Sequence, residues 1–486
     1  MDSPFTNMAL CERRLRPRLS RYGHPRIWVK RKLWFHLFLL SCVVNSIKAQ
    51  PAYQVLRYNE DWSFLADQSR STDWLDPVKY VPLHGTNVYV SFGGEARLKY
   101  ECYSDAVFNQ KPADSDGFLL QRYLLFADVH ATRYFRGFVQ LQSSLEDFRT
   151  GGPRPTDRDE LDVHQAFLDA NVFLKNDDEI ILRSGRQEMA YGSQRLITVR
   201  DGPNNRLAFD AVRALSKLGD WHLDAWISQP VDIDPGMFDD RRIQQTTFWG
   251  AYATGALPLI TGLSADFYYL GLSRENAHFA SGTADELRHS LGTRLFGRNG
   301  SLDWNFEFVG QVGTFGNNSI LAWTAASDTG WNFVEAPAKP RLFLHADIAS
   351  GNHGGSTLGT FNPLFPRASY FNEASLIGPQ NLMDLQPGVE FSLTKSLKLV
   401  TSCDFVWRES LDDAVYGVSG NVQVAPGRSN ARFVGTFPAV SLAWQATRHL
   451  GFAANYVAYL FGDFVTQSQP YQHNGNYVNA SATYRF

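Results

Sequence analysis

Apolar and polar residues alternate with a period of two along most of this chain after residue 85. In the first such stretch Val88, Val90, Phe92, Ala96, Leu98, Tyr100 and Cys102 fall on one face, and Ser91, Glu95, Arg97, Lys99 and Glu101 on the other. Successive side chains of a strand point to opposite faces, so the pattern predicts a strand that is apolar on one side and strongly charged on the other. A strand between lipid and water needs that arrangement, whereas a soluble sheet would have to cover its apolar side with a second layer. The same alternation sets Tyr123, Leu125, Ala127 and Val129 against Arg122, Asp128 and His130, and Trp304, Phe306 and Phe308 against Asp303, Asn305, Glu307 and Gln311. Further on, Leu397, Leu399, Cys403, Phe405 and Trp407 alternate with Lys398, Ser402, Asp404 and Arg408. The last stretch sets Val478, Ala480, Ala482, Tyr484 and Phe486 against Asn479, Ser481, Thr483 and Arg485.

These strands predict an all-β protein, a transmembrane antiparallel β-barrel with an aqueous lumen. Residues 86–486 accommodate about 16 to 18 strands with their connections, an even-numbered barrel wide enough to hold water. The terminal Phe486, with Tyr484 two residues before it, is the end that such barrels present to their assembly machinery. Gly/Pro/Asp/Asn-rich stretches at 149–159, 229–245 and 349–373 read as loops. No window after Ala49 holds 18 apolar residues, so helical spans are not expected. Ahead of the strands, basic residues up to Lys30-Arg31-Lys32 precede an apolar run from Leu33 to Ile47 that is too short to span a bilayer. The expected organisation is an export signal at 1–49, a periplasmic lead-in segment at 50–85 and an outer-membrane barrel at 86–486.

Composition sharpens this picture in two respects. The 486 residues include 35 Phe, 20 Tyr and 12 Trp, yet the mean hydropathy is only -0.27, as polar residues threaded between aromatics would give. Without residues 1–49 the chain keeps 36 basic and 47 acidic residues, a formal charge of -11, which disfavours nucleic acid as a partner. Only 8 of those basic residues are Lys and 28 are Arg. Arginine is suited to two-point contact with carboxylates and phosphates, so the direction in which these side chains point matters more than net charge.

The run Gly185-Arg186-Gln187-Glu188, followed by Tyr191-Gly192, Arg195-Leu196, Asn204 and Phe209-Asp210, resembles the central motif of the alginate export family of outer-membrane proteins. Tyr58-Asn59-Glu60-Asp61-Trp62-Ser63, Asp76-Pro77, Lys79-Tyr80 and Gly94-Glu95-Ala96-Arg97 are similar to that family's opening. Further matches are Arg288-His289 with Gly292 and Arg294, the stretch Thr360-Phe361-Asn362-Pro363-Leu364-Phe365-Pro366, Trp407-Arg408-Glu409-Ser410 and Gly462-Asp463-Phe464. Ser350-Gly351-Asn352 departs from the pattern, with Asn352 where Asp is expected. The resemblance implies an 18-stranded barrel whose arginine-rich constriction passes an anionic polysaccharide or uronate.

Parity and resemblance together select Glu95, Arg97, Lys99, Arg122, Asp128, Arg186, Glu188, Arg195, Arg288, Arg294 and Arg408 as lumen residues. Arginines there would grip passing carboxylates, with interspersed acids keeping the grip weak; the bland reading is a wall network of mutually neutralising charges. The expectation is a monomeric channel for anionic saccharides, with a general anion-preferring porin or a secreted polysaccharide-acting β-sheet enzyme as alternatives. His130, His164, His289, His345 and His353 lie in no Gly-x-Ser-x-Gly or His-Glu-x-x-His motif, so no catalytic residue is assigned. No cofactor or metal is expected: Asp232, Asp234, Asp239 and Asp240 miss the spacing of a calcium-binding loop, and His353 lies in a glycine-rich loop.

Overall fold

The computed structural model describes residues 53–85, 88–105, 108, 117–175 and 178–486, so the export signal expected at 1–49 lies outside the described residues. Long strands follow one another around a closed barrel. They are β1 (Val88–Tyr103), β2 (Phe118–His130), β3 (Phe135–Asp147), β4 (Asp159–Phe173), β5 (Glu179–Gln187) and β6 (Phe209–Leu218). The series continues with β7 (Trp221–Asp232), β8 (Thr246–Ala256), β9 (Leu263–Phe279), β10 (Gly282–Asn299), β11 (Leu302–Phe315) and β12 (Asn318–Asn332). It ends with β13 (Arg341–Ala349), β14 (Leu382–Ser392), β15 (Leu397–Trp407), β16 (Phe433–Gln445), β17 (Leu450–Phe461) and β18 (Gly475–Arg485). Each pairs antiparallel with the next, and β18 pairs with β1 from Glu95↔Arg485 to Tyr103↔Tyr477, closing an 18-strand barrel.

The predicted parity holds in the strands on which it was read. Leu98, Leu125, Leu168, Ile227, Leu291 and Leu321 stand exposed on the outer face, while Ser91, Glu95, Arg97, Lys99 and Glu101 are buried on the inner one. One barrel end carries short turns such as 131–134, 219–220 and 300–301, and the other carries the long connections 188–208, 350–381 and 408–432. Around the turn end Phe135, Phe173, Trp331, Phe333, Trp444 and Phe452 are exposed, as in an aromatic girdle at a membrane surface.

The interior is not an open tube, because three segments enter it. The connections 188–208 and 350–381 fold inward from the loop end and pair through an Ile197↔Phe365 bridge. From the turn end comes 53–80, the expected lead-in segment, which docks rather than trailing away. Tyr58 sets its ring edge-on against Phe138 (6.1 Å) and Phe167 (5.4 Å) and donates to the Glu188 carbonyl at 2.8 Å. Arg57 donates to the carbonyls of Gly94 (2.9 Å) and Phe486 (2.8 Å), fastening the segment where the barrel closes. Lys79 follows in a one-turn helix (Asp76–Lys79), α1, and its ammonium donates to the Phe92 carbonyl at 3.0 Å. It lies 5.3 to 5.8 Å from the rings of Tyr53, Trp62, Phe126 and Phe486, within cation–π range.

Two outcomes follow from this architecture. Leu125→Arg places a charge in the hydrocarbon and should cost about 2–4 kcal/mol, whereas Ser441→Arg on the inner face should be tolerated; urea unfolding in lipid vesicles compares them. Burial, reinforced by the nearby Arg57 charge, pushes the Lys79 ammonium down to about 7. An unfolded lysine keeps its proton to about pH 10.4, so between these values the unfolded chain binds more protons and stability rises with pH. Thermal unfolding from pH 7 to 9 should show that rise, and Lys79→Met should flatten it.

Candidate functional site: a divided lumen with unpaired arginines

The β5–β6 connection, residues 188–208, turns inward because of what surrounds its first residues. Gly185 has φ +133°, and a Cβ there would stand 2.2 Å from the Ala166 carbonyl, so only glycine lets β5 twist at this point. Glu188 follows with no exposed surface, taking Arg206 at 2.9 Å and His164 at 2.8 Å. Tyr191 stacks between Trp226 and Tyr252, each at 4.8 Å, and Gly192 next to it has φ +54° with the Tyr252 hydroxyl 2.4 Å from where a Cβ would be. Asn204 then donates to the carbonyls of Leu145 (3.0 Å) and Asp157 (2.8 Å), returning the chain to the wall.

The β13–β14 connection, residues 350–381, is held by the Thr360–Pro366 stretch. Phe365 packs against Phe209 (5.1 Å) and Phe248 (5.0 Å), while Asn362 donates its backbone N–H to the Gln311 side-chain oxygen Oε1 (2.9 Å) and its amide to Glu286 (3.1 Å). Arg288 reaches the Thr360 carbonyl at 3.2 Å. Asn352, at the departure from the family pattern, donates its backbone N–H to Asp413 at 2.7 Å and accepts from Gly359 at 3.3 Å, contacts that a neutral amide makes without a second negative charge.

Among the described residues these loops separate two chambers of the lumen. The chamber towards the turn end holds about 480 Å³, and its charged lining is Arg97, Lys99, Arg367, Lys398 and Arg485 against Asp201, Glu373 and Glu390. The chamber towards the loop end holds about 300 Å³ and is lined by Arg200, Arg206 and Arg274 against Asp232. Gln194, Arg200 and Leu364, all on the two inward loops, have φ of 61°, 53° and 61°. That left-handed conformation costs a non-glycine residue roughly 1–2 kcal/mol, and the packed loops hold it.

Of the residues selected from sequence, Arg97 and Lys99 line a chamber. Arg97 donates to the carbonyls of Asp201 (2.7 Å) and Pro203 (2.6 Å), while Lys99 pairs with Glu101 at 2.6 Å. The others sit in pairs. Arg122, fully buried, meets Glu95 and Asp201, each at 2.6 Å. Arg186 meets Asp210 (2.9 Å), Arg195 meets Glu307 (3.0 Å), Arg288 meets Glu286 (2.6 Å), Arg294 meets Asp266 (2.5 Å) and Asp128 meets Arg136 (2.7 Å). Arg408 departs from the lumen assignment: β15 ends at Trp407, and Arg408 lies in the next connection, donating to the carbonyls of Ser429 (3.0 Å) and Ala431 (2.6 Å).

Sequence reasoning passed over Arg200 and Arg367, because neither lies on an alternating strand. Among the described residues, neither these two nor Arg97 has a carboxylate within 4.0 Å of its guanidinium. Burial alone pushes Arg200 down to about 10, so it remains charged at neutral pH. The signal available was the turn dipeptide Asp201-Gly202, which marks the tip of a loop in the one connection richest in family motif residues.

A closed barrel with an apolar outer band, an aromatic girdle and charged internal chambers defines an outer-membrane channel. The alginate export family model matches residues 88–480, and the chain belongs to that family. Solved structures share the fold at low identity. The BenF-like porin from Pseudomonas fluorescens Pf-5 is 9% identical with a TM-score of 0.56, covering 82% of this chain and 98% of that one. OccD3 (OpdP) of Pseudomonas aeruginosa is 12% identical with a TM-score of 0.54 (82% and 91% covered), and OccK11 (OpdR) is 12% identical with a TM-score of 0.51 (82% and 95%). No curated protein matches the chain. Family and fold point to a channel rather than an enzyme and place it in the bacterial outer membrane, with the short turns on the periplasmic side.

Arg122→Ala should leave Glu95 and Asp201 without the cation between them, at about 3–5 kcal/mol, because breaking a buried pair strands its partner. Arg186→Ala removes a partly exposed pair and should cost under about 1 kcal/mol. Urea unfolding of the two variants measures the difference, and the loosened β5–β6 loop should make single-channel currents of Arg122→Ala noisier.

Proposed function

We propose that this channel passes anionic polysaccharide or uronate oligosaccharides through its two chambers. The observation that carries the reading is the small set of arginines that line the chambers with no carboxylate within 4.0 Å of the guanidinium among the described residues. Of the eight cationic residues that line the chambers, five pair with a carboxylate: Lys99 with Glu101, Lys398 with Glu390, Arg485 with Glu95, Arg206 with Glu188 and Arg274 with Glu286. Among the described residues the unpaired ones are Arg97, Arg200 and Arg367; Arg97 gives both terminal nitrogens to the Asp201 and Pro203 carbonyls and adds only positive field, while Arg200 and Arg367 keep terminal N–H groups that can take a carboxylate. The paired arginines of the wall shape and hold the path, so the binding set is Arg200 and Arg367, with the charge of Arg97 and Lys99 beside them. The reading includes a monomer whose last strand, ending at Phe486, is recognised by the barrel assembly machinery.

In a planar bilayer the pore should pass chloride more readily than potassium, because the local field sets selectivity. That preference should shrink with salt, as the screening length falls from about 10 Å at 0.1 M to about 3 Å at 1 M. Arg97→Ala combined with Arg200→Ala should move selectivity towards cations, and oligouronates should block the wild-type current where neutral oligosaccharides of equal size do not. A cation-selective wild type removes the reading; equal block by both sugars reduces it to a general porin.

A further inference from the structure

The β7–β8 connection, residues 233–245, carries acidic residues that spacing alone leaves solvated. Its course is different. Leu161 and Met237 form an isolated parallel bridge, Glu160 donates its N–H to Gly236 at 3.1 Å and Phe238 donates to Leu161 at 2.9 Å. The connection therefore lies along the start of β4, and Asp240 meets Asp159 and Asp162, with one carboxylate oxygen from each residue within 4.8 Å of the others. Asp159 and Asp162 are three apart and would point to opposite faces of an unbroken strand. The β3–β4 register slips between Gln142 and Ser144, which face Asp162 and Asp159 respectively, and this bulge re-aims the two carboxylates to one place.

Among the described residues no lysine or arginine forms an ion pair within 4.0 Å with these three carboxylates. Arg186 donates to the backbone carbonyl of Asp240 at 3.4 Å and pairs with Asp210 at 2.9 Å. Asp239 adds a further carboxylate, its N–H bonded to Asp162 at 3.2 Å.

A second feature is independent of the acids. Gln142 is 1% exposed and its amide nitrogen donates to Asp159 at 3.3 Å, which sets the amide against the cluster and leaves its Oε1 with no hydrogen-bond partner. Asp159 is 0% exposed and its Oδ1 is unpartnered too. A buried oxygen left without a donor is costly, and a cation satisfies several at once.

The geometry points to a Ca²⁺ site formed by Asp159, Asp162 and Asp240 that clamps the β7–β8 connection to the barrel rim, with the Gln142 amide turning over so that its unpartnered oxygen replaces its nitrogen as a fourth donor. The donors are all hard oxygens, with no nitrogen or sulfur to favour zinc or copper, and they come from a strand, its neighbour and a loop, a spread that suits the flexible coordination of Ca²⁺ better than the strict octahedron of Mg²⁺. Because the ligands come from separate parts of the chain, no single-loop motif marks them. Asp232, Ile233 and Ile243 of the same region line the loop-end chamber, so the clamp would fix part of the pore's outer mouth.

Isothermal titration of the full-length protein in detergent, stripped of divalent ions, tests this with CaCl₂ and MgCl₂. One Ca²⁺ should bind per chain, with a dissociation constant on the order of 10⁻⁴–10⁻³ M, as in extracellular modules, and Mg²⁺ about 10-fold or more weaker. Asp159→Asn and Asp240→Asn should each weaken Ca²⁺ binding by about 10-fold, while Asp232→Asn, an exposed carboxylate outside the set, should leave it unchanged. Heat-modifiable gel mobility confirms that each variant is a folded barrel. Wild-type binding no tighter than that of the folded Asp159→Asn/Asp240→Asn double variant, or an equal loss in Asp232→Asn, overturns the site. None of these outcomes depends on what the pore transports.

Discussion

Glu95 stands on the strand where the barrel closes, and its carboxylate takes Arg122 from β2 on one side at 2.6 Å and Arg485 from β18 on the other at 2.8 Å. Arg122 in turn grips Asp201 on the β5–β6 loop at 2.6 Å. One chain of charges thus ties the closure seam to the segment that divides the lumen. The constraint behind it is general for this molecule. A wide barrel with charged inner strands tolerates those charges while they face water, but inward loops remove that water, and every covered charge then needs a partner. The pairings of Arg288 with Glu286 and of Arg206 with Glu188 answer the same requirement beneath the two loops.

That requirement explains why so much of the family's motif is structural. Gly185 permits a twist, Glu188 and Asn204 hold the β5–β6 loop at its two ends, and Asn362 and Phe365 anchor the β13–β14 loop. The residues that meet the chambers with charge to spare are elsewhere. Arg200 and Arg367 sit on the same inward loops: the Arg200 backbone N–H donates to the Thr198 hydroxyl, and the Arg367 guanidinium donates to the Tyr370 carbonyl at 3.3 Å.

Strand alternation made the barrel legible from sequence, because a period of two fixes which side chains meet lipid regardless of what fills the interior. The outward Leu98 and Leu125 and the inward Glu95, Arg97 and Lys99 could be placed from parity alone. Parity could not say which inward charges would be covered, since that depends on loops whose course no local pattern encodes. Arg122 and Arg97 are directly opposed on β2 and β1, yet one is locked between two carboxylates and the other bonds only to carbonyls. Arg408 failed for a simpler reason: the alternation was extended one residue past the end of its strand.

The excess of arginine over lysine acquires two meanings in this setting. A buried arginine can satisfy several acceptors in fixed directions, as Arg122 does with two carboxylates and the Asp201 and Pro203 carbonyls, and lysine's single ammonium could not hold seam and loop together in that way. The same fork, where the protein supplies carbonyls and no carboxylate, keeps its full positive charge, as Arg97 does between the Asp201 and Pro203 carbonyls. Composition counts both kinds alike, and net charge counts neither by position. On the proposed reading, the sign of the field in the chambers follows from the few arginines that the folding of the inward loops leaves without a carboxylate, and the anion preference of the pore depends on how many those are.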